Sequence, residues 1–240
     1  MVARQLLVTG GSGLLGAELQ KLLPDAYYPS SNEFNVTDCE QMAAYVRGKN
    51  ISTVLHAAAF TSPPKVDQDP TKGIAVNIVG TANVVQLCVK LGMRLIYIST
   101  DYVFRGDQGN YHENDPVFPV NKYAWSKLGG ECAARLYDRS LIIRTTFGPN
   151  VFPYPKAFKD QWTSREPVRV VAKKIVALLD KDIAGVVHVG GTRKTVFEYA
   201  TGLDANKPIE PISVKDVTFN IPRDTSLCVE KYNTLIKKGV

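Results

Sequence analysis

The sequence has few of the residues that form disulfides or bind metal ions. Its 240 residues include four cysteines and three histidines, and no Cys-x-x-Cys pair occurs. This spacing excludes the common structural zinc sites. We therefore expect reduced thiols, as in a cytoplasmic protein. A chain of this length can bury a sizeable core without such crosslinks.

Long apolar runs and repeats are missing as well. No uninterrupted apolar run approaches the ~18 residues of a membrane span. The stretch from Met1 to Thr9 predicts a strand and lacks the separate basic and apolar regions of a signal peptide. These features predict a cytoplasmic globular protein without a membrane partner.

The net charge of +6 is concentrated in one part of the chain. Up to Ile143 there are 13 basic and 13 acidic residues, and from Arg144 onward there are 16 and 10. The basic part lacks the basic runs interleaved with aromatic residues that indicate nucleic-acid binding. A small anionic substrate would suit this charge, and so would a face that only contacts solvent.

Hydrophobic periodicity alternates between short β-branched runs and longer helical patterns, which predicts a parallel sheet with crossover helices. The strands are predicted at Leu6–Val8, weakly at Ala26–Pro29, and at Thr53–His56, Arg94–Ile98, Leu141–Ile143 and Val186–Val189. Helices are predicted at Leu14–Leu23, Thr37–Arg47, Asp69–Leu91, Asn121–Tyr137, Pro167–Leu179, Thr195–Ala200 and Val229–Lys237.

This order of elements predicts an α/β fold with a doubly wound parallel sheet of the Rossmann type. After Thr146 the chain becomes rich in proline and aromatic residues. We therefore expect a nucleotide-binding core over residues 1–146. Residues 147–240 are expected to complete that core and to form a small C-terminal cap that binds the substrate.

The first strand leads into a glycine-rich loop. Gly11, Gly13 and Gly16 fit the pattern Gly-x-Gly-x-x-Gly, and Gly10 precedes them. Glycines here permit a tight turn and let a pyrophosphate approach the N–H groups of a helix N-terminus. Because the loop lies between a predicted strand and a predicted helix, it predicts a dinucleotide site.

The residues expected beside the adenosine ribose are neutral. About 20 residues beyond the glycines, the chain has Tyr28-Pro29-Ser30-Ser31, with neither an acid nor an arginine. Ser30 could hydrogen-bond a phosphate, or it could be a simple turn residue. The missing acid favours NADP(H) as the cofactor, with NAD(H) tolerated.

Three further residues complete a constellation suited to hydride transfer. Tyr123 and Lys127 are four residues apart, on one face of a predicted helix. A lysine in this position can lower the phenol pKa of about 10, which would make Tyr123 a proton donor. Thr100, at the end of a predicted strand, could hydrogen-bond a substrate carbonyl. We expect His56 to be a buried structural residue.

The chain resembles the extended short-chain dehydrogenases/reductases and, more narrowly, the dTDP-4-dehydrorhamnose reductase family. The matching residues are Gly10–Gly16, His56–Ala59, Ser99–Phe104, Glu113, Asp115, Pro119–Lys127, Gly130, Glu131, Arg144 and, more weakly, Asp224–Leu227. The resemblance implies a catalytic triad of Thr100, Tyr123 and Lys127. It also implies a cofactor site, although Asn35 replaces the usual acid. With the residues inferred above, the predicted cofactor contacts are Gly10, Gly11, Ser12, Gly13, Leu14, Leu15, Gly16, Ser30, Asn35, Val36, Ala57, Ala58, Ala59, Ser99, Tyr123 and Lys127.

The substrate implied by this resemblance is a 4-keto sugar nucleotide, bound between the core and the C-terminal part. Aromatic side chains can stack on a base or sugar, and an arginine can pair with a diphosphate. The candidate contacts are Asp101, Tyr102, Phe104, Asn150, Trp162 and Arg165. Phe104 and Trp162 could equally be core residues. A homodimer is compatible with the sequence, and no nucleic-acid partner is expected.

Two other functions remain open at this point. Related dehydratases carry Thr-Asp-Glu after the same strand, whereas this chain has Tyr102 in place of the glutamate. A tyrosine is a poor base near pH 7, so reduction is favoured over a sugar-nucleotide dehydratase or epimerase reaction. The remaining alternative is a non-catalytic regulatory subunit that binds the cofactor.

Overall fold

A computed structural model describes residues 5–204, 206–218 and 220–237. Its centre is a five-stranded parallel sheet with the order β1-β2-β3-β4-β9. The strands of this sheet are β1 (Leu6–Thr9), β2 (Thr53–His56), β3 (Arg94–Thr100), β4 (Ser140–Thr145) and β9 (Gly185–Val189). The doubly wound α/β fold is confirmed.

Helices cover both faces of this sheet. They are α1 (Leu14–Leu22), α2 (Cys39–Val46), α3 (Pro63–Gln68), α4 (Pro70–Gly73), α5 (Thr81–Leu91), α6 (Lys122–Arg135), α7 (Val168–Leu179), α8 (Val196–Leu203) and α9 (Glu230–Lys237). Alternate strand residues face opposite sides. Leu6 and Val8 pack with α1, α7 and α9, whereas Leu7 packs with α2, α5 and α6.

A π-helical stretch, Ile74–Gly80, joins α4 to α5 into one helix over Pro70–Leu91. By length and mean hydropathy this helix could cross a membrane. Here it covers one face of the sheet instead, and its buried residues Val84, Val85 and Leu87 belong to the core on that face.

The C-terminal part returns to the sheet and also extends beyond it. Helix α7 and strand β9 complete the core, whereas short strand pairs and α8 form a separate apolar cluster around Phe152 and Tyr199. The short strands are β5 (Phe147–Gly148), β6 (Lys156–Phe158), β7 (Trp162–Thr163), β8 (Glu166–Pro167), β10 (Lys194–Thr195) and β11 (Glu210–Ile212). The first four residues of the predicted core (1–4) and the last three of the predicted C-terminal part (238–240) lie outside the described residues.

One predicted element is reduced, and several were missed, among them the short strands that follow Thr146. In place of the strand predicted at Ala26–Pro29, only Tyr27 pairs with β1 within the described residues, through a bridge to Leu7. Pro29 has no amide hydrogen, so a ladder cannot continue through it. Helix α3 was not predicted; prolines at its first two positions fit a helix start.

Candidate active site

The glycine loop closes tightly against the next strand. Gly10 has a φ of +76°, and a Cβ there would lie 2.8 Å from the Ala58 nitrogen. A Cβ on Gly16 would collide with the Gly10 carbonyl oxygen. Helix α1 begins at Leu14, and no side chain caps its first turn. The N–H groups of that turn are therefore available to an anion.

A cavity of about 940 Å³ lies at the carboxyl edge of the sheet, in front of this loop. Every predicted cofactor residue lines it: Gly10, Gly11, Ser12, Gly13, Leu14, Leu15, Gly16, Ser30, Asn35, Val36, Ala57, Ala58, Ala59, Ser99, Tyr123 and Lys127. The cavity is also lined by Phe60–Pro63 and Thr145–Phe147, which were not predicted. They follow β2 and β4, so the rule that ligands bind at strand carboxyl ends could have found them.

An acid does reach the predicted ribose end of the cavity. The Glu33 carboxylate accepts hydrogen bonds from the Ser30 N–H (2.9 Å) and the Ser30 hydroxyl (2.8 Å). These two bonds lower the pKa of Glu33. Glu33 was not predicted because it lies beyond Tyr28–Ser31, the stretch expected beside the ribose. The Ser30 hydroxyl is thus already held by a carboxylate.

The cavity wall brings together the three predicted catalytic residues. Thr100 ends β3, and Tyr123 and Lys127 lie one turn apart on α6. The buried Lys127 ammonium donates a hydrogen bond to the Ile98 carbonyl over 2.8 Å and lies 4.3 Å from the centre of the Tyr97 ring. Burial lowers the pKa of Lys127 to about 7.

Lys127 was expected to lower the pKa of Tyr123, but the pKa of this phenol is raised. Burial raises the pKa of this phenol well above its ordinary value, and a hydrogen bond with Thr100 only partly opposes the rise. The physical reason is that loss of hydration disfavours a phenolate, while the nearby Lys127 ammonium is directed at the Ile98 carbonyl. Tyr123 is therefore held as the neutral, proton-bearing phenol.

Asp101 is buried beside these residues. Its carboxylate accepts hydrogen bonds from the Thr225 hydroxyl (2.6 Å) and the Thr100 hydroxyl (3.2 Å). Burial raises its pKa to about 6, although both bonds and the charge of Arg165 act in the other direction. Thr225 comes from the far end of the chain, so its place here could not be inferred from local sequence.

A second cavity of about 460 Å³ adjoins the first. Pro63, Tyr102 and Arg165 line both cavities. The Tyr102 hydroxyl accepts a hydrogen bond from the Gln161 amide over 3.0 Å. The buried Arg165 Nε has no hydrogen-bond partner among the residues that the structure describes. The other lining residues of the second cavity are Asn121, Phe152, Tyr154, Pro155, Lys156, Ala157, Phe158, Gln161, Val196, Asn220 and Ile221.

Three of the predicted substrate contacts, Phe104, Asn150 and Trp162, are not among the residues that line either of the two cavities. Phe104 is buried and stacks on Tyr111 at 4.3 Å. The Arg193 guanidinium lies over the Trp162 ring, and its carbon is 3.7 Å from the ring centre. The Asn150 amide donates a hydrogen bond to Glu18 over 3.0 Å. Only Asp101, Tyr102 and Arg165 of the six predicted contacts meet at the cavities.

Behind the site lies a buried ion pair formed by residues that carried the resemblance. Arg144 donates to Glu131 over 2.7 Å and 3.2 Å, and both side chains are fully buried. The Ser99 hydroxyl also donates to Glu131, over 2.7 Å. These contacts fix the end of β3, and hence Thr100, against α6. His56 is buried between the hydroxyls of Thr9 and Thr81.

The chain is similar to known proteins over most of its length. The family model described as the RmlD substrate binding domain matches residues 4–177. The dTDP-4-dehydrorhamnose reductase of Aggregatibacter actinomycetemcomitans is 27% identical to the chain, over 98% of the chain and 88% of that protein. The methionine adenosyltransferase 2 subunit beta of Rattus norvegicus is also 27% identical, over 97% of the chain and 83% of that protein.

Solved structures share the whole fold. A hypothetical dTDP-4-dehydrorhamnose reductase from Sulfolobus tokodaii aligns with a TM-score of 0.86 and 32% identity, over 96% of this chain and 94% of that one. The dTDP-4-dehydrorhamnose reductase from Bacillus anthracis in complex with NADP aligns with a TM-score of 0.84 and 24% identity, over 95% and 90%. The chain therefore belongs to the dTDP-4-dehydrorhamnose reductase family of extended short-chain dehydrogenases/reductases.

Proposed function

We propose that this protein reduces the keto group of a 4-keto sugar nucleotide such as dTDP-4-dehydrorhamnose. The observation that carries the proposal is the meeting of Thr100, Tyr123 and Lys127 on the wall of the first cavity, next to the opening of the second. The names of the relatives from Aggregatibacter actinomycetemcomitans and Sulfolobus tokodaii support the same substrate class.

The first cavity suits a nicotinamide dinucleotide. The glycine loop offers backbone N–H groups at the start of α1. A Cβ at Gly10 or Gly16 would collide with neighbouring backbone, so the tight turn that presents these groups requires glycine. The reduced nicotinamide would supply a hydride. We propose NADP(H) as the cofactor, with NAD(H) accepted, because Tyr28–Ser31 itself contains no acid, although the Glu33 carboxylate reaches Ser30 from beyond that stretch. The same fold binds NADP in the Bacillus anthracis protein.

Within this site Tyr123 would donate the proton. Its raised pKa keeps the phenol protonated, so it can transfer a proton to the substrate oxygen as negative charge develops there. Thr100 would hydrogen-bond the same oxygen. The Lys127 ammonium would bind the cofactor ribose, and by turning from the Ile98 carbonyl towards Tyr123 it would stabilise the tyrosinate that forms. Residues 1–146 would thus provide the cofactor site and residues 147–240 most of the substrate site.

The second cavity would take the nucleotide part of the substrate. Its walls include Phe152, Tyr154 and Phe158, aromatic side chains that can stack on a base. Arg165 lies where the cavities meet and could pair with the diphosphate. Asp101 and Tyr102 lie on the same stretch of wall and would contact the sugar.

The experiment is a measurement of stoichiometry. Purified protein is incubated with NADPH or NADH and dTDP-4-dehydrorhamnose, while the absorbance of the reduced nicotinamide is followed and the sugar products are analysed. We expect one cofactor oxidised for each sugar reduced. In a parallel incubation with an ordinary hexose nucleotide, formation of a 4-keto-6-deoxy sugar without net cofactor change would establish a dehydratase instead.

A regulatory role is the second candidate, and the likeness to methionine adenosyltransferase 2 subunit beta favours it. A regulatory subunit would bind the cofactor but oxidise none of it with any keto sugar nucleotide offered. The complete set of Thr100, Tyr123 and Lys127 in the cavity wall supports the reductase.

A further inference from the structure

A fully buried tyrosine, Tyr97, lies behind Lys127 and takes no part in the proposed proton transfer. It is the central residue of β3, and none of its surface is exposed. The Lys127 ammonium lies over its ring, with Nζ 4.3 Å from the ring centre. The Tyr97 hydroxyl donates a hydrogen bond to the backbone carbonyl of the same lysine over 3.0 Å. One side chain therefore contacts both the charge of Lys127 and the helix that carries it.

The neighbouring elements fix the Tyr97 ring in this place. Gly130 on α6 lies against it, because a Cβ there would be 2.7 Å from the Tyr97 hydroxyl oxygen. Glycine at this position therefore lets β3 and α6 approach closely enough for the hydroxyl to reach the Lys127 carbonyl. The His56 ring of β2 also packs on Tyr97, with the ring centres 5.8 Å apart. The distance between ring and ammonium is thus set by contacts from two elements, β2 and α6.

The charges around the Lys127 ammonium leave the ring an electrostatic role. The Glu131 carboxylate favours the charged lysine, but it is already paired with two arginines. Burial lowers the pKa of His56 and raises the pKa of Tyr97 and Tyr123, so these three neighbours are uncharged. An ammonium removed from water loses hydration. The negative face of the Tyr97 ring compensates part of that loss.

We propose that Tyr97 is a positioning residue for Lys127, because its ring holds the ammonium charged at the wall of the first cavity through a cation–π contact. This proposal rests on the proposed reductase function, in which the charged lysine binds the cofactor ribose and stabilises the tyrosinate of Tyr123. The contact favours the charged form and so opposes the lowering of the Lys127 pKa by burial. Without it, Lys127 should lose its proton at a lower pH.

The test changes the charge distribution of the ring and nearly keeps its shape, so the packing of the core is retained. Tyr97→Phe removes the hydroxyl and keeps the negative ring face. Replacement of Tyr97 by trifluorophenylalanine, through an expanded genetic code, also removes the negative face. In Tyr97→Phe we expect the titration midpoint of Lys127 to stay close to that of wild type. In the fluorinated variant it should lie about 0.4 to 1.5 pH units lower, the shift that a cation–π contact corresponds to.

The midpoint is measured without cofactor or substrate, from the NMR signal of the Lys127 Cε in protein with isotopically labelled lysine. Lys127→Met lacks this signal and thereby assigns it. The control is the same fluorinated replacement at Tyr137, which follows α6 and donates a hydrogen bond to the Met93 carbonyl over 2.9 Å. Its midpoint should equal that of wild type. Equal midpoints in Tyr97→Phe and the fluorinated Tyr97 variant would overturn the proposal.

The pH dependence of turnover is a second readout. Because the reaction needs the charged lysine, kcat should fall as pH rises through the pKa of Lys127 in the complex with cofactor. This fall should begin at lower pH in the fluorinated variant than in Tyr97→Phe, whereas a merely structural defect would lower kcat equally at every pH. A wild-type protein without activity would contradict the proposed function. An unchanged titration of Lys127 in the free protein would contradict the role of Tyr97.

Discussion

The two cavities of this protein are built in different ways. The walls of the first come mainly from short runs of consecutive residues at strand ends, such as Gly10–Gly16, Ala57–Ala59 and Ser99–Thr100. The walls of the second come from segments far apart in sequence, from Pro63 to Ile221. The first therefore follows from local pattern and chain direction, whereas the second exists only after the C-terminal part has folded onto the core.

The difference extends to the chemistry that each cavity offers. The first is lined largely by backbone and by small side chains, which suits close approach of a pyrophosphate. The second is lined mainly by aromatic and aliphatic side chains, together with Asn121, Lys156, Gln161 and Asn220, and Arg165 lies at its junction with the first. Variants at the junction, in each cavity and in the core behind them can test whether the first cavity binds the cofactor and the second binds the substrate, as proposed.

The largest effect is expected on the wall of the first cavity, for Tyr123→Phe. The change removes one hydroxyl, so proton donation is lost while the ring packing remains. General acid catalysis typically contributes about 10²- to 10⁴-fold, and we expect kcat to fall within that range. Cofactor titration by fluorescence should show unchanged binding. Full turnover in this variant would remove Tyr123 from the role of proton donor.

A smaller effect is expected at the junction of the two cavities, for Arg165→Ala. A hydrogen bond to a charged group contributes about 1.5–3 kcal/mol, so the KM for the sugar nucleotide should rise roughly 10- to 100-fold. The KM for the cofactor should hardly change. Arg169→Ala removes the same charge from an exposed position near the start of α7 and serves as the control. Equal kinetics for both variants would show that Arg165 does not bind substrate.

Acid should destabilise the core behind the cavities through two buried histidines. Burial lowers the pKa of both His56 and His188 to about 3, from about 6.5 in an unfolded chain. Between these values the unfolded chain binds more protons, so stability falls as pH falls. Each histidine contributes up to about 1.4 kcal/mol per pH unit. Urea unfolding between pH 7.5 and pH 5 measures this slope.

His56→Asn and His112→Asn separate this effect from general acid sensitivity. The His56 imidazole lies between two threonine hydroxyls, whereas His112 is exposed. The slope should become shallower in His56→Asn and stay as in wild type in His112→Asn. A slope that is the same in all three proteins would show that His56 does not titrate in this way.

The smallest effect is expected at the ribose end of the first cavity, for Glu33→Gln. The change removes an exposed negative charge beside Ser30. Because an exposed charge is strongly screened by water, we expect only a small change, with NADPH bound about two- to fivefold more tightly relative to NADH. Glu40→Gln, on α2, is the control. An unchanged ratio of the two dissociation constants would show that Glu33 does not discriminate between the cofactors.

Much of the first cavity was predictable because its signals are local. A strand, a glycine loop and a helix specify a turn that only glycine can form at Gly10, and the periodicity of β-branched runs specified the parallel sheet. The spacing of Tyr123 and Lys127 placed them on one helical face. The direction in which each side chain points could not be predicted from local sequence. Lys127 turns to the Ile98 carbonyl, and burial rather than its charge dominates the pKa of Tyr123.

The sequence by itself determined the order of strands and helices, the glycine loop and the residue types available for proton transfer. Only the tertiary structure decided which distant residues meet: Thr225 with Asp101, Glu131 with Arg144 and Ser99, and Arg165 with both cavities. It also placed Phe104 and Trp162 in packed surroundings away from the site. The physical reason is that local pattern fixes backbone conformation through nearby hydrogen bonds and sterics. Long-range contacts depend on how whole elements pack, and no short stretch of sequence encodes that packing.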